Sequence, residues 1–178
     1  MKKTLATVVF GVLCLGSFAH AQFAATGTTT LQLTVGPEAA IQINTANTPL
    51  STSTTTFANP FIGTTNFTYK IRTTKVGGTG NVTAQVTSDF TAATNGPSVA
   101  SPPTAGDALT YTCTVANPAT ACSGTQTAST SASTAVASFG ADAHATGNAG
   151  SVAWSLTNDP VYPTGSYSAT VTFTISAT

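Results

Sequence analysis

Charged residues are scarce in this sequence. Its 178 residues include five Lys or Arg and five Asp or Glu, and the formal net charge is zero. Charged residues make up 6% of the chain, against about 25% in an ordinary soluble domain. Because so few cations cannot neutralise a run of phosphates, we expect no nucleic-acid partner.

Groups for catalysis and metal binding are also few. His144 is the one possible histidine base outside the first 21 residues, and no Gly-x-Ser-x-Gly motif surrounds a serine. Asp142 and His144 offer two ligands where transition-metal sites normally have three or more, and their small-residue surroundings favour a solvated loop. Calcium binding by loop aspartates stays open, without an EF-hand spacing to support it. We therefore expect a noncatalytic protein without catalytic residues, metal or cofactor.

Long apolar runs are absent after the start of the chain. The single one, residues 5–18, follows Lys2 and Lys3 and precedes the small-x-small sequence of residues 19–21. This order is typical of a secretory signal peptide, and the run is shorter than the ~20 residues of a membrane-spanning helix. The sequence predicts a cleaved signal at 1–21, a single domain at 22–178, and a bacterial periplasmic, cell-surface or secreted location without a membrane span.

Cysteine is rare as well, with three in the chain. Cys14 falls in the predicted signal, which leaves Cys113 and Cys122. In an oxidising compartment the default expectation for such a pair is a disulfide. It would close a loop of about ten residues and stabilise the fold by roughly 2.5–3 kcal/mol. A redox or metal-binding pair is the alternative, but no third cysteine or nearby histidine supports it.

Threonine and period-two alternation are abundant. Thr accounts for 39 of the 178 residues, and its branched Cβ favours strands while its hydroxyl stays solvated. Apolar and polar residues alternate, as expected of strands with one buried face, at 31–35, 41–43, 67–71, 82–86, 109–115, 152–156 and 167–175, and more weakly at 135–139. No segment has a helical apolar stripe. The sequence predicts one β-sandwich or barrel of about seven or eight strands.

Three long connections separate these strands, at residues 45–65, 89–107 and 117–134. Long loops on a rigid sandwich often bind ligands, although these are also interpretable as plain crossovers between sheets. Phe57, Phe61 and Tyr162 are the candidate ligand contacts, for which carbohydrate is the expected ligand. The alternative for the two phenylalanines is a place in the core or at a strand edge.

The last seventeen residues, YPTGSYSATVTFTISAT, resemble the terminal strand of bacterial secreted surface subunits, namely spore coat protein U-like proteins and chaperone–usher pilins. Gly165 lies fourteen residues from the end, as a glycine does in pilins, whereas Ala177 replaces their penultimate aromatic. The Cys113–Cys122 pair is also later than the usual pilin disulfide. The resemblance implies an immunoglobulin-like antiparallel β-sandwich and a fibre subunit whose N-terminal segment completes a neighbour's sandwich.

Two functional hypotheses follow. The first is a structural or adhesive cell-surface protein that associates with itself or with other surface proteins, with Leu31, Leu33 and Val35 as the candidate assembly strand. Whether that strand pairs within its own fold or with another molecule is left open by the sequence. The second is a ligand-binding module that uses its long loops to bind a glycan.

Overall fold

The computed structural model describes residues 26–53, 56–91 and 93–178. The chain divides into two units, 1–34 and 35–178. The predicted signal peptide lies outside the described residues, and the described part of the first unit, 26–34, has no regular secondary structure. All strands of the described residues belong to the second unit, and none of these residues is helical.

The second unit contains nine strands among its described residues. In chain order they are β1 (Glu38–Ile43), β2 (Phe61–Arg72), β3 (Gly80–Ser88), β4 (Thr110–Val115), β5 (Thr120–Ala121), β6 (Gln126–Thr127), β7 (Thr134–Phe139), β8 (His144–Leu156) and β9 (Thr170–Ala177). One sheet has the order β1-β2-β8-β4-β6 and the other has the order β5-β7-β3-β9. All pairings are antiparallel. The predicted all-β antiparallel sandwich is therefore confirmed.

The alternating positions of the sequence form the core between the two sheets. Phe67, Tyr69 and Ile71 point inward from β2, and Val82, Ala84 and Val86 point inward from β3. β4 and β8 contribute Tyr111 and Trp154, whose ring centroids are 5.0 Å apart. Each inward residue alternates with a more solvent-exposed neighbour, usually Thr or Ser. This explains how the chain forms a polar exterior with few charges.

The predicted disulfide is confirmed, and it joins the two sheets. Cys113 lies in β4 of the five-stranded sheet, and Cys122 directly follows β5 of the four-stranded sheet. The two sulfur atoms are 2.09 Å apart and the Cα atoms 5.6 Å apart. The bridge therefore fastens the sandwich along one side.

Several elements differ from the sequence predictions. β2 begins at Phe61, inside the connection predicted at 45–65. Residues 31–35 form no strand, because a strand needs hydrogen bonds from a neighbouring edge as well as an alternating pattern. β8 begins at His144, inside the segment predicted as a loop, and β9 begins at Thr170 rather than near Tyr167. The two-residue strands β5 and β6 lie in the connection 117–134, where no alternation is long enough to predict them.

Candidate functional site

The two sides of the sandwich end in very different edges. On one side the terminal strands are β5 and β6, which have two residues each and lie beside the Cys113–Cys122 bridge. On the other side they are β1, with six residues, and β9, with eight. Long edge strands present unpaired N–H and C=O groups, which natural proteins usually protect. The second side therefore has the longer unpaired edges.

β1 and β9 lie next to each other without pairing. Among the described residues, no hydrogen-bond ladder joins them. Glu38 at the start of β1 is paired with Arg72, and Thr178 after the end of β9 hydrogen-bonds Thr74. The start of β1 and the end of β9 thus share one end of the sandwich, so the two strands run in opposite directions. We call their unpaired sides together the open edge.

The core is incompletely covered along the open edge. The inward residues of β3, such as Val82 and Val86, are 0% and 1% exposed. The inward residues of the neighbouring strand β9 are only half-buried, although they pack against the same core; they are Val171, Phe173, Ile175 and Ala177. Ala39 and Ile41 of β1 are half-buried in the same way. A line of apolar side chains between β1 and β9 is therefore open to water.

The open edge widens into a cleft of about 690 Å³, lined by residues that include Ile43, Leu50 and Phe173. At its base, the Trp154 indole Nε1–H donates to Thr65 Oγ1 at 2.9 Å. Thr65 Oγ1 also lies 2.7 Å from Thr48 Oγ1. Every buried side-chain polar atom of the described residues has a hydrogen-bond partner, so the base of the cleft offers an apolar surface rather than unpaired polar groups.

The residues predicted as ligand contacts line this one cleft. Phe57 is 61% exposed, and Phe61 and Tyr162 are half-buried. Phe90 and Tyr167 line the same cleft and were missed, because Phe90 lies in the predicted connection 89–107 and Tyr167 was assigned to the strand predicted at 167–175. The sequence therefore marked three wall residues but gave no signal that they share a cavity with β9.

A buried carboxylate supports the wall of the cleft. Asp107 is 5% exposed, and its Oδ2 accepts a hydrogen bond from the Tyr162 hydroxyl at 3.0 Å. Burial raises the pKa of Asp107, and the neighbouring Asp159 carboxylate raises it further. Burial and the hydrogen bond to Asp107 raise the pKa of Tyr162. The hydrogen bond between Tyr162 and Asp107 holds the segment before β9 in place.

A second carboxylate organises the loop that carries Phe90 and Pro97. Asp89 accepts hydrogen bonds from the backbone N–H groups of Phe90 (2.8 Å), Val99 (2.7 Å) and Ala100 (3.0 Å). The Ser98 hydroxyl donates to it at 2.7 Å. Burial alone would raise the pKa of Asp89, but these donors outweigh it and lower the pKa. One carboxylate thus replaces the secondary structure that this loop lacks.

The candidate assembly residues are strongly exposed. Leu31 is 90% exposed, Leu33 87% and Val35 56%. Residues 26–37 carry no strand, so their backbone groups make no ladder. Exposed aliphatic side chains at every second position are unusual in a finished domain, and contiguous apolar exposure commonly marks an interaction site.

Catalytic and metal groups are sparse among the described residues. His144 Nε2 lies 3.5 Å from Asp142 Oδ1, with both side chains more than half exposed. No cluster of three or more His, Cys, Asp or Glu is close enough to hold a metal ion in the described part of the chain. No helix found among residues 26–178, apart from the masked positions 54, 55 and 92, is long and apolar enough to cross a membrane.

Fold and site together define an antiparallel β-sandwich with one fastened side and one open, apolar side. Comparison of the chain with protein-family models, with curated proteins and with solved structures finds no match. The geometry of the open edge is therefore the basis for a functional proposal.

Proposed function

We propose that this protein is a noncatalytic structural or adhesive component of the bacterial cell surface, exported by its N-terminal signal. In this proposal it is a fibre subunit, in which residues 31–35 of one molecule (the donor segment) fill the open edge of the next. The half-buried inward face of β9 carries the proposal, because a neighbouring strand is what would complete its burial.

The donor segment matches the open edge in period. Leu31, Leu33 and Val35 occupy alternate positions, so in an extended strand their side chains point to one side and lie about 6.6–7 Å apart. Val171, Phe173 and Ile175 have the same spacing on β9. The intervening residues of the donor segment, Gln32 and Thr34, would face water like the outer residues of β9.

The energetic gain also favours occupation of the open edge. Burial of one exposed Leu side chain contributes about 1.5–3 kcal/mol, and Leu31 and Leu33 are both almost fully exposed. The inward residues of β9 would lose their remaining contact with water at the same time. The backbone groups of β9 and the donor segment would gain a ladder of hydrogen bonds in place of bonds to water.

The test is the double variant Leu31→Asn with Leu33→Asn, compared with the control Gln32→Asn with Thr34→Ser. We expect the unchanged chain and the control to form ladders of heat-labile oligomers on unheated gels, and the leucine variant to run as a monomer. The control alters the same segment on its outward face, so it separates apolar insertion from a general effect of substitution. Equal ladders for both variants, or no ladder from the unchanged chain, would refute the proposal.

Carbohydrate binding is the second candidate function, because Phe57, Phe61 and Tyr162 line one cleft and Phe57 is 61% exposed. Aromatic faces beside a cleft are a common way to hold a small ligand. The test is binding of the protein to a glycan array, with Phe57→Ala as the variant and Val76→Ala, another exposed apolar position, as the control. Loss of a glycan signal in the Phe57 variant alone would support this function, and no signal from the unchanged protein would reject it.

A further inference from the structure

We propose that Arg72 is a positioning residue that prevents the donor segment from folding back onto its own open edge and thereby favours exchange between molecules. This inference rests on the proposed strand donation. It answers the question that the sequence leaves open, whether the segment pairs within one molecule or between two.

Arg72 holds the chain where it enters β1. Its Nε–H donates to the carbonyl oxygen of Gly36 at 2.7 Å, and its Nη2 lies 2.9 Å from Glu38 Oε2. Glu38 is also the register partner of Arg72 across the β1–β2 pair. The planar guanidinium therefore spans Pro37 and fixes the residues on both sides of it, as a fork of donors can and a single ammonium cannot.

Fold-back within one molecule requires a sharp reversal at this same point. Gly36 and Pro37 lie at the end of the sandwich where β1 starts and β9 finishes, so the donor segment reaches its own open edge only if the chain turns between Val35 and Glu38. Two-residue hairpin turns need a positive φ at their first central position. Pro37 has a fixed negative φ, which restricts the choice to a type II′ turn with Gly36 at positive φ.

The observed backbone does not have that conformation. The described glycines with positive φ are Gly77, Gly106, Gly124 and Gly147, and Gly36 is not among them. A change of Gly36 to positive φ would rotate its peptide plane and move its carbonyl away from Arg72. The turn and the Arg72 hydrogen bond therefore exclude each other.

The direction of the strands also disfavours fold-back within one molecule. A segment that folds back at Gly36–Pro37 runs antiparallel to β1 and hence parallel to β9, because β1 and β9 run in opposite directions. A segment from a second molecule is free to enter antiparallel to β9, and antiparallel pairing is slightly more stable per residue. The Arg72 hydrogen bond to Gly36 thus opposes the parallel arrangement, which is the less stable of the two.

The experiment compares the full chain with Arg72→Ala, Arg72→Lys and the control Lys75→Ala. Lys75 lines the same shallow cleft as Arg72, so its removal changes the local charge equally without affecting the hold on Gly36. Each protein is unfolded, refolded at one fixed concentration, and separated by size-exclusion chromatography with light scattering. The monomer fraction is then mixed with a fluorescent synthetic peptide of residues 26–35.

We expect Arg72→Ala to raise the monomer fraction by at least about threefold, the scale of one ordinary hydrogen bond at a partly exposed site. Those monomers should not bind the peptide, because their own segment fills the open edge. The monomer fraction of Arg72→Lys should lie between those of Arg72→Ala and the unchanged chain. The monomer fraction of Lys75→Ala should equal that of the unchanged chain. Refusal of the peptide is a readout that a simple loss of stability would not produce.

Two results would overturn the inference. One is an Arg72→Ala chain that polymerises like the unchanged chain, and the other is a rise in monomers that still bind the peptide. In both cases strand donation itself still holds if the unchanged chain forms a ladder and the leucine variant does not. Absence of a ladder from the unchanged chain, or an equal ladder from the leucine variant, overturns both proposals together.

Discussion

At the scale of single residues, Asp89 stabilises the loop that lines the cleft by accepting hydrogen bonds from its backbone. It accepts three backbone N–H groups and one hydroxyl, and hydrogen bonds to a charged group are among the stronger ones. We expect Asp89→Asn to lower the free energy of unfolding by about 1–3 kcal/mol, as measured by urea denaturation. Asp142→Asn is the control, because its side chain is more than half exposed; equal losses in both variants would contradict the role of Asp89.

The same carboxylate predicts a pH dependence with a definite sign. The pKa of Asp89 in the folded protein lies below its ordinary value of 3.8, so the folded state binds the proton less tightly than the unfolded state. The contribution of Asp89 to the free energy of unfolding is therefore fully present above the pKa that this carboxyl has in the unfolded chain. It is lost as pH falls through the lower pKa of the folded protein. The difference in unfolding free energy between the unchanged chain and Asp89→Asn should shrink in that acid range. Because burial raises the pKa of Asp107 and gives the opposite sign, the difference is a cleaner measurement than either curve alone.

The core has no room for a side chain at Gly150. This glycine is the register partner of Phe67, and a Cβ at this position would lie 2.2 Å from Cζ of the Phe67 ring. Phe67 is fully buried, so its ring can move away only by displacing its neighbours in the core. Gly150→Ala should therefore destabilise the fold by about 1–3 kcal/mol, as measured by thermal or urea unfolding. Gly140→Ala, where a Cβ would meet nothing within 4 Å, should have little effect; a comparable loss there would show that the contact with Phe67 is not the cause.

At the scale of elements, the disulfide joins the two sheets at the side of the sandwich opposite the open edge. Replacement of Cys113 and Cys122 by Ser together should lower stability by roughly 2.5–3 kcal/mol, as measured by urea denaturation of both proteins. We expect the oligomer ladder to persist, because β1 and β9 lie at the opposite side of the two sheets. A double variant that is stably folded but monomeric would show that the bridge also shapes the open edge.

The strands show how far the sequence alone could predict this fold. Alternation located β1, β2, β3, β4, β7, β8 and β9, because an antiparallel sandwich buries one face of each strand. It assigned a strand to residues 31–35 on the same grounds and was wrong for the described chain, since periodicity records which face is apolar and does not record whether a partner edge exists. β5 and β6 are too short to have a period at all.

The site was harder to predict than the fold. Leu31 and Leu33 could be selected from the alternation at 31–35, and Phe57, Phe61 and Tyr162 could be selected as aromatic residues outside the predicted strands. The open edge that would accept the donor segment could not be predicted. It is defined by the absence, among the described residues, of a hydrogen-bond ladder between β1 and β9, and these strands are more than a hundred residues apart in sequence. The Arg72 contact with Gly36 is likewise set by the β1–β2 register, which no local pattern reveals.

At the scale of the whole molecule, the low charge predicts that the proposed assembly is insensitive to salt. After the predicted signal the chain keeps three cations and five anions, for a formal charge of −2, and the open edge is apolar. Electrostatic steering should therefore be weak. We expect the rate of oligomer growth, followed by light scattering, to change less than about threefold between about 0.02 M and about 0.5 M NaCl. A steep fall with salt would indicate that an ionic contact guides the encounter.

The contrast between the two sides of the sandwich also sets the valence of the molecule under strand donation. One side is sealed by two-residue strands and a disulfide, so each copy has one acceptor and one donor. Such a heterologous contact generates unbranched chains with chemically distinct ends. A copy whose Leu31 and Leu33 are both replaced by Asn would still accept but could not donate, and would act as a chain stopper. The ratio of stopper to normal copies would then determine polymer length, which makes length a matter of stoichiometry rather than of binding strength.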